Sequence, residues 1–175
     1  MVLLRTQIHS QPMPHHPTVD TIKELLGENG CQYDCFEHEP VRTSEEAAKV
    51  RTGYTLEQGA KAIIARVKEP GKGKKFVMLV MPGSKRFDGA KIESNLGFKE
   101  IRFATEDEVK EITGGILPGG VPPFGNLFNL EVFADKSLFK NERIIFNAGD
   151  RSVSVGIKSA DYQRIVSPRL VDIVE

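Results

Sequence analysis

The chain has 175 residues, of which 39% are hydrophobic and 27% charged, and its 24 basic side chains balance 24 acidic ones. That composition suits a soluble domain with a real core, and no apolar run approaches the roughly 20 residues a membrane-spanning helix needs. Zero net charge excludes a global field that draws the protein onto a polyanion, so any such ligand would need a local patch.

Residues 1–17 read as a flexible N-terminal tail, because the apolar VLL is too short for a signal-peptide core and no small-residue cleavage site follows it. The expected compartment is therefore the cytoplasm, and residues 18–175 read as a single domain. Thr18 opens an amphipathic helix in TVDTIKELLGENG, with Val19, Ile22, Leu25 and Leu26 on one face and Gly30 as its stop. Cys31 and Cys35 follow, four apart, which fits neither a CxxC redox pair nor half of a zinc site. A second helix, Thr43 to Arg51, starts on a capping box of Thr43 and Glu46. GAKAIIARV and KFVMLVMP, separated by the turn-forming EPGKGK, read as the two strands of a hairpin. Ser84 to Leu96 reads as helix, EIRFA as strand, and Thr105 to Thr113 as a helix with a capping box in Thr105 and Glu108. Beyond a glycine- and proline-rich segment come the strand-like runs NLEVFAD, RIIFNAG and SVSVGIK, a helix in SADYQRIV and a last strand in RLVDIV. The order predicts a mixed α/β fold, with a curved, mainly antiparallel β-sheet, a barrel-like core and surrounding helices.

Chemistry has few places to reside. GxSxG, HExxH, GxxxxGKS/T and GxGxxG are all missing from the sequence, which removes the usual support for serine-hydrolase, zincin, P-loop and dinucleotide readings. His9, His15, His16 and His38 show no ligand spacing, so neither a metal nor a cofactor is expected. Three features remain. The first is the loop TGGILPGGVPPFG, in which glycines let the backbone approach a ligand and prolines stiffen it. Its N–H groups could hold an oxyanion, or the loop could simply be a rigid crossover. The second is Lys61, a long cation flanked by Ala60 and Ala62 at the head of an apolar strand; it could serve a phosphate or a developing oxyanion, or be a solvated strand residue. The third is Asn147-Ala148-Gly149-Asp150, readable as a turn or as part of a site. Lys68, Lys72, Lys74 and Lys75 cluster at the hairpin turn, followed by Lys85, Arg86 and Lys91, and make either a solvated surface or a local phosphate patch.

These motifs, taken in order, resemble the YbaK/prolyl-tRNA synthetase-associated editing domain family. The likeness rests on EEAA from Glu45, GxxxxQGAKAI from Gly53 to Ile63, VMLVMPG, GGVPPFG, LEVFAD, IIFNAG and SVSVGI, and covers about Val19 to Val174. It implies a free-standing deacylase that hydrolyses mischarged tRNA, with the tRNA 3′-CCA end as ligand and prolyl-tRNA synthetase as a possible partner. The expected substrate is tRNA for proline carrying Ala, Cys, Ser or Thr. By the same resemblance Lys61 acts at the tRNA 3′ terminus, and Gly119, Gly120 and Pro123 belong to a GxxxP loop that contacts the terminal ribose and the aminoacyl carbonyl. Asn147, Ala148 and Gly149 fall in the segment lining the amino-acid pocket, with Val121, Pro122 and Gly125 in the loop beside it. Ala62, Met81, Phe124 and Phe146 are expected as walls. Some alanine-specific members carry a histidine and, directly after the lysine, an asparagine where this chain has Asn147 and Ala62. A non-catalytic module that binds the aminoacylated tRNA end is the alternative.

Overall fold

A computed structural model describes residues 14–175; most of the expected N-terminal tail, residues 1–13, lies outside the described residues. The last part of that tail is docked, since His16 hydrogen-bonds the Gly114 carbonyl through Nε2 at 2.9 Å. None of the helices described is long and apolar enough to cross a membrane.

Helix α1 (Thr18–Glu28) leads to β1 (Asp34–Glu37) and the short helix α2 (Ser44–Val50). Next come the hairpin β2 (Ala60–Glu69) and β3 (Gly73–Pro82), then α3 (Gly89–Leu96), β4 (Lys99–Phe103) and α4 (Glu106–Thr113). The chain closes with β5 (Val132–Asp135), β6 (Arg143–Asn147), β7 (Val153–Lys158), α5 (Ser159–Val166) and β8 (Arg169–Val171). The mixed α/β expectation holds, with the strands divided between two sheets. One has the order β1-β7-β6 and is antiparallel throughout. The other has the order β4-β2-β3-β5-β8, antiparallel in its first half and parallel where β5 joins β3 and β8.

Local chemistry explains most element ends. Thr105 and Glu108 form the expected reciprocal box at the start of α4. The Thr43 hydroxyl accepts the Glu46 N–H at 3.1 Å, while the Glu46 carboxylate takes the N–H of Arg42 at 2.8 Å. Helix α3 begins five residues later than the sequence suggests. Asp88 caps it by accepting from Ala90 and Lys91, and the Asp88 N–H is spent on the Ile173 carbonyl; Gly83 and Ser84 instead form a turn closed by the Lys85 N–H on the Pro82 carbonyl at 3.0 Å, and Lys85 to Phe87 stay outside the helix. Strand β1 carries no periodic apolar signal, because only Phe36 is partly buried; pairing with β7 makes it a strand.

Hairpin β2–β3 is covered on both sides, which is why KFVMLVMP is nearly all apolar. Between the two sheets Ile64, Met78, Val80, Ile144, Phe146, Val155 and Tyr162 form one cluster with α1. On the other face Ala65, Val77, Leu79 and Met81 pack under Ile92 and Phe98. The sheets approach each other at a parallel bridge between Gly59 and Ile145, and the candidate site opens beside that junction.

Candidate active site

A cavity of about 280 Å³ lies where the start of α2, the head of β2, the loop after Pro118 and the end of β6 converge; Arg42, Glu45, Arg51, Lys61, Gly119 and Asn147 contribute to its wall. Lys61 reaches it from the second residue of β2. Its Nζ donates to the Lys85 carbonyl at 2.9 Å, a carbonyl that the late start of α3 leaves outside any helix. Among the described residues no carboxylate lies within 4.0 Å of Lys61. Burial holds its pKa below the ordinary lysine value, with Glu45 opposing and Arg86 adding to the shift.

The larger surprise is Arg51, at the C-terminal cap of α2 and only 7% exposed. Its Nε donates to Ser154 Oγ at 2.9 Å and its Nη2 to Asn147 Oδ1 at 3.0 Å. It too has no carboxylate partner among the described residues, and burial alone lowers its pKa to about 10. A buried charge without a counter-ion costs several kcal/mol, so a cation held this way is poised for an acceptor that arrives from outside. Nη1 makes no hydrogen bond among the described residues, yet no buried side-chain N or O atom lacks a partner. Nη1 is therefore reached from the cavity, as a donor without an acceptor.

Behind Arg51, Ser154 is fully buried and meets His38 Nε2 at 2.7 Å. His38 Nδ1 lies 2.8 Å from the Glu39 carbonyl; a carbonyl only accepts, so Nδ1 carries the proton. In the neutral imidazole Nε2 then accepts the Ser154 O–H, leaving Ser154 Oγ to accept from Arg51. His38 thus supports the arginine rather than a metal; among the described residues no group of His, Cys, Asp and Glu is arranged to hold one.

The loop is clamped to the β6–β7 connection. Asn147 Nδ2 donates to the Gly119 carbonyl at 2.7 Å, Gly149 N–H to the Gly120 carbonyl at 2.9 Å, and Arg151 Nε to the Pro118 carbonyl at 2.8 Å. Leu117 to Gly120 form a turn closed by the Gly120 N–H on the Leu117 carbonyl at 2.9 Å. Pro118 fixes its first corner, and Gly119, at φ +88°, occupies the second, where a positive φ is needed. The turn limits which N–H groups of Gly119 to Pro123 can meet a ligand. Between Gly119 and Pro123, Gly120 spends its N–H inside the turn and the prolines have none, which leaves Gly119 and Val121 as the donors of that stretch without a partner among the described residues.

Of the residues singled out from sequence, the fold brings Lys61, Ala62, Gly119, Val121 and Asn147 to the cavity. Gly120 and Gly149 line a separate groove on the far side of the loop. Met81 is not a wall: it pairs with Lys61 across the hairpin, but its side chain is fully buried in the second core cluster. Phe124 and Phe146 are core residues that pack edge to face at 5.3 Å, and Ala148 is buried with them. Pro122 is buried outside the cavity. Pro123 turns its carbonyl inward to accept from Tyr162 Oη at 2.7 Å. Gly125 serves close packing, since a Cβ there would stand 2.5 Å from Val132 Cγ2. Arg51, Arg42 and Glu45 were missed; the available signal was a cation directly after a capped helix, a pattern shared by many solvated helix ends.

Residues 38–165 match the sequence model of the family described as "Aminoacyl-tRNA editing domain". The chain is 36% identical over 149 residues to the multifunctional Ser/Thr-tRNA deacylase ProXp-y of Escherichia coli, covering 85% of this chain and 87% of that protein. It is 27% identical over 145 residues to the prolyl-tRNA editing protein ProX of Acetoanaerobium sticklandii, covering 81% and 85% respectively. A solved structure of a candidate trans-editing enzyme for prolyl-tRNA synthetase shares the fold, with a TM-score of 0.74 at 23% identity over 93% of this chain and 99% of that one. The chain belongs to the aminoacyl-tRNA editing domain family.

Proposed function

We propose that the protein hydrolyses the ester of tRNA carrying a small amino acid, with serine and threonine as the first candidates. The observation that carries this reading is the convergence of two cations without carboxylate partners, Arg51 and Lys61, with the free N–H groups of Gly119 and Val121 around one small cavity. An aminoacyl ester is already activated, so positioning and charge stabilisation can do what an amidase needs a nucleophile for. Among the described residues the cavity wall holds neither His nor Cys, so a Ser–His or Cys–His pair is not formed there.

In the proposed reaction the ester carbonyl oxygen lies among these donors. A water, assisted by the substrate's vicinal ribose hydroxyl, adds to the carbonyl carbon, and the developing oxyanion is held by Lys61, Arg51 and loop N–H groups. The bond from that carbon to the ribose oxygen then breaks, the ribose oxygen takes up the proton, and a free amino acid leaves. A preorganised donor of this kind contributes roughly 2.7 to 4 kcal/mol to such a step.

The amino-acid preference follows from size and polarity. Thr43, Ser44 and Asn147 give the cavity hydrogen-bonding walls, which suit a hydroxyl-bearing side chain, and the E. coli relative is described as a Ser/Thr-tRNA deacylase. A synthetase rejects an amino acid smaller by one methylene only modestly, by about 10- to 200-fold, so a second sieve is useful. Because the A. sticklandii relative is a prolyl-tRNA editing protein, tRNA for proline is the first acceptor to test and prolyl-tRNA synthetase the first partner.

The test is a panel of tRNAs charged with Ala, Cys, Ser or Thr. The expected result is release of Ser or Thr well above the uncatalysed rate, reduced about a hundredfold in kcat/KM by Lys61→Ala, with circular dichroism showing the variant folded. Tight binding without release on every charged tRNA would instead identify a non-catalytic module.

A further inference from the structure

A second, apolar cavity of about 220 Å³ adjoins the first, sharing Ala62, Gly119 and Val121 with it; its remaining lining includes Ile63, Phe103, Val109 and Pro118. Phe103 is 57% exposed. It ends β4 and faces Ala65 across the sheet, so the two-residue period of β2 places Lys61, Ile63 and Phe103 on one face of the same strand edge. Its ring packs against Phe87 on one side, with centroids 5.6 Å apart, and the rest stays open to solvent beside the first cavity, a surface on which a planar ring can stack.

The wall of this cavity includes one stretch of unpaired backbone, at Ala62. The Ile64 carbonyl accepts the Ala104 N–H at 2.9 Å, so Ile64 turns its polar groups toward β4. Met78, opposite Ile64 in the hairpin, gives its N–H to the Glu131 carbonyl at 2.9 Å on the far side. Ile64 and Met78 thus form a pair that does not exchange hydrogen bonds, and alternation makes Ala62 and Val80 another. Ala62 therefore presents its N–H and C=O to the same edge as Ile64, two residues beyond the point where β4 stops. No backbone group among the described residues outside that ladder pairs with them. One donor and one acceptor side by side complement the edge of adenine, which offers an amine and a ring nitrogen.

We infer that this cavity is the subsite for the terminal adenine base of the substrate. The base stacks on Phe103, its edge meets the Ala62 backbone, and its ribose passes Gly119 and Val121, which leaves the ester in the first cavity beside Lys61. This assignment rests on the deacylase reading for the identity of the ligand, and its test is chosen to stand apart from it.

Two arms test it. In the first, millimolar AMP, UMP and purine riboside monophosphate, which lacks the amine, are titrated into labelled protein while backbone amide resonances are followed. AMP is expected to move Ala62, Phe103, Ala104 and Val121, with weaker effects from the other two, and Phe103→Ala should weaken AMP binding about tenfold. In the second arm, Phe103→Ala raises KM for charged tRNA about tenfold with kcat nearly unchanged, and Phe103→Trp restores it. Three results would overturn the subsite: AMP leaving these amides unmoved, AMP moving instead the groove around Arg151, or the same amides shifting with protein concentration alone, which would mark the patch as a contact between copies of this chain. If no charged tRNA is hydrolysed by the unsubstituted protein, the deacylase reading fails while the AMP arm still decides the base subsite.

Discussion

Two groups of cations in this molecule are treated in opposite ways. At the tip of the β2–β3 hairpin every lysine has a carboxylate: Lys68 and Lys74 meet Glu100 at 3.1 and 3.3 Å, Lys72 meets Glu69 at 3.0 Å, and Lys75 meets Glu69 and Glu131 at 2.7 and 3.2 Å. In the cleft, Arg51 and Lys61 have only neutral oxygens. The first group, readable in sequence as a solvated surface or as a phosphate patch, is a self-neutralised surface. The second is spread over two elements, carries less charge, and is the one whose charge is left for a ligand. Density of lysines in a sequence therefore says less about anion binding than the presence or lack of a carboxylate in three dimensions.

Arg51→Met breaks the contrast most strongly. Deacylation should fall by about a hundredfold or more, as expected for loss of a preorganised donor, whereas thermal stability should change little because an unpaired buried charge is removed along with its hydrogen bonds. A large loss of stability with activity retained per folded molecule would make Arg51 a structural residue. Gly149→Ala attacks the clamp instead of the charge. Gly149 has φ +108°, and a Cβ there would lie 2.7 Å from Thr18 Cβ, so a stability loss of about 3 kcal/mol is expected in denaturant unfolding. Gly119→Ala has room for its methyl group, the nearest atom being Arg42 O at 3.6 Å, and should cost only about 1 to 2 kcal/mol from backbone strain.

The pH profile sharpens the comparison further. The charged form of Lys61 is the active one, and burial lowers its pKa. Activity should therefore fall as pH rises through that lowered pKa, beginning below the ordinary lysine value of 10.5. Lys61→Arg, which stays protonated, should push this alkaline limb upward; a limb that does not move would assign it to another group. The smallest effect belongs to the hairpin tip. Lys72→Gln or Lys74→Gln should alter stability by less than about 0.5 kcal/mol and leave kcat/KM unchanged, since exposed ion pairs contribute little.

How much of the site was legible in the sequence depended on how local its cause was. Lys61 stands out because a cation interrupts an apolar strand, and Gly119 because a Pro-Gly pair demands a turn with positive φ. Arg51 does not, because nothing near it in sequence distinguishes it from a solvated helix end; Ser154 and Asn147, which hold it, lie 103 and 96 residues away. Met81 and Phe146 were expected in the cleft because apolar residues near a candidate site make natural walls, yet both are enclosed in the core clusters.

The sequence by itself determined where helices form, the Thr43 and Thr105 caps, the hairpin and the clamped loop's need for glycine and proline, since each follows from interactions within a few residues. Only the tertiary structure decided that the strands divide between two sheets, that the edge of β2 stays open beside Phe103, and that a buried arginine faces the cavity. Those features arise from pairings between distant segments, where the energy of a contact depends on which partner arrives and not on the residue alone.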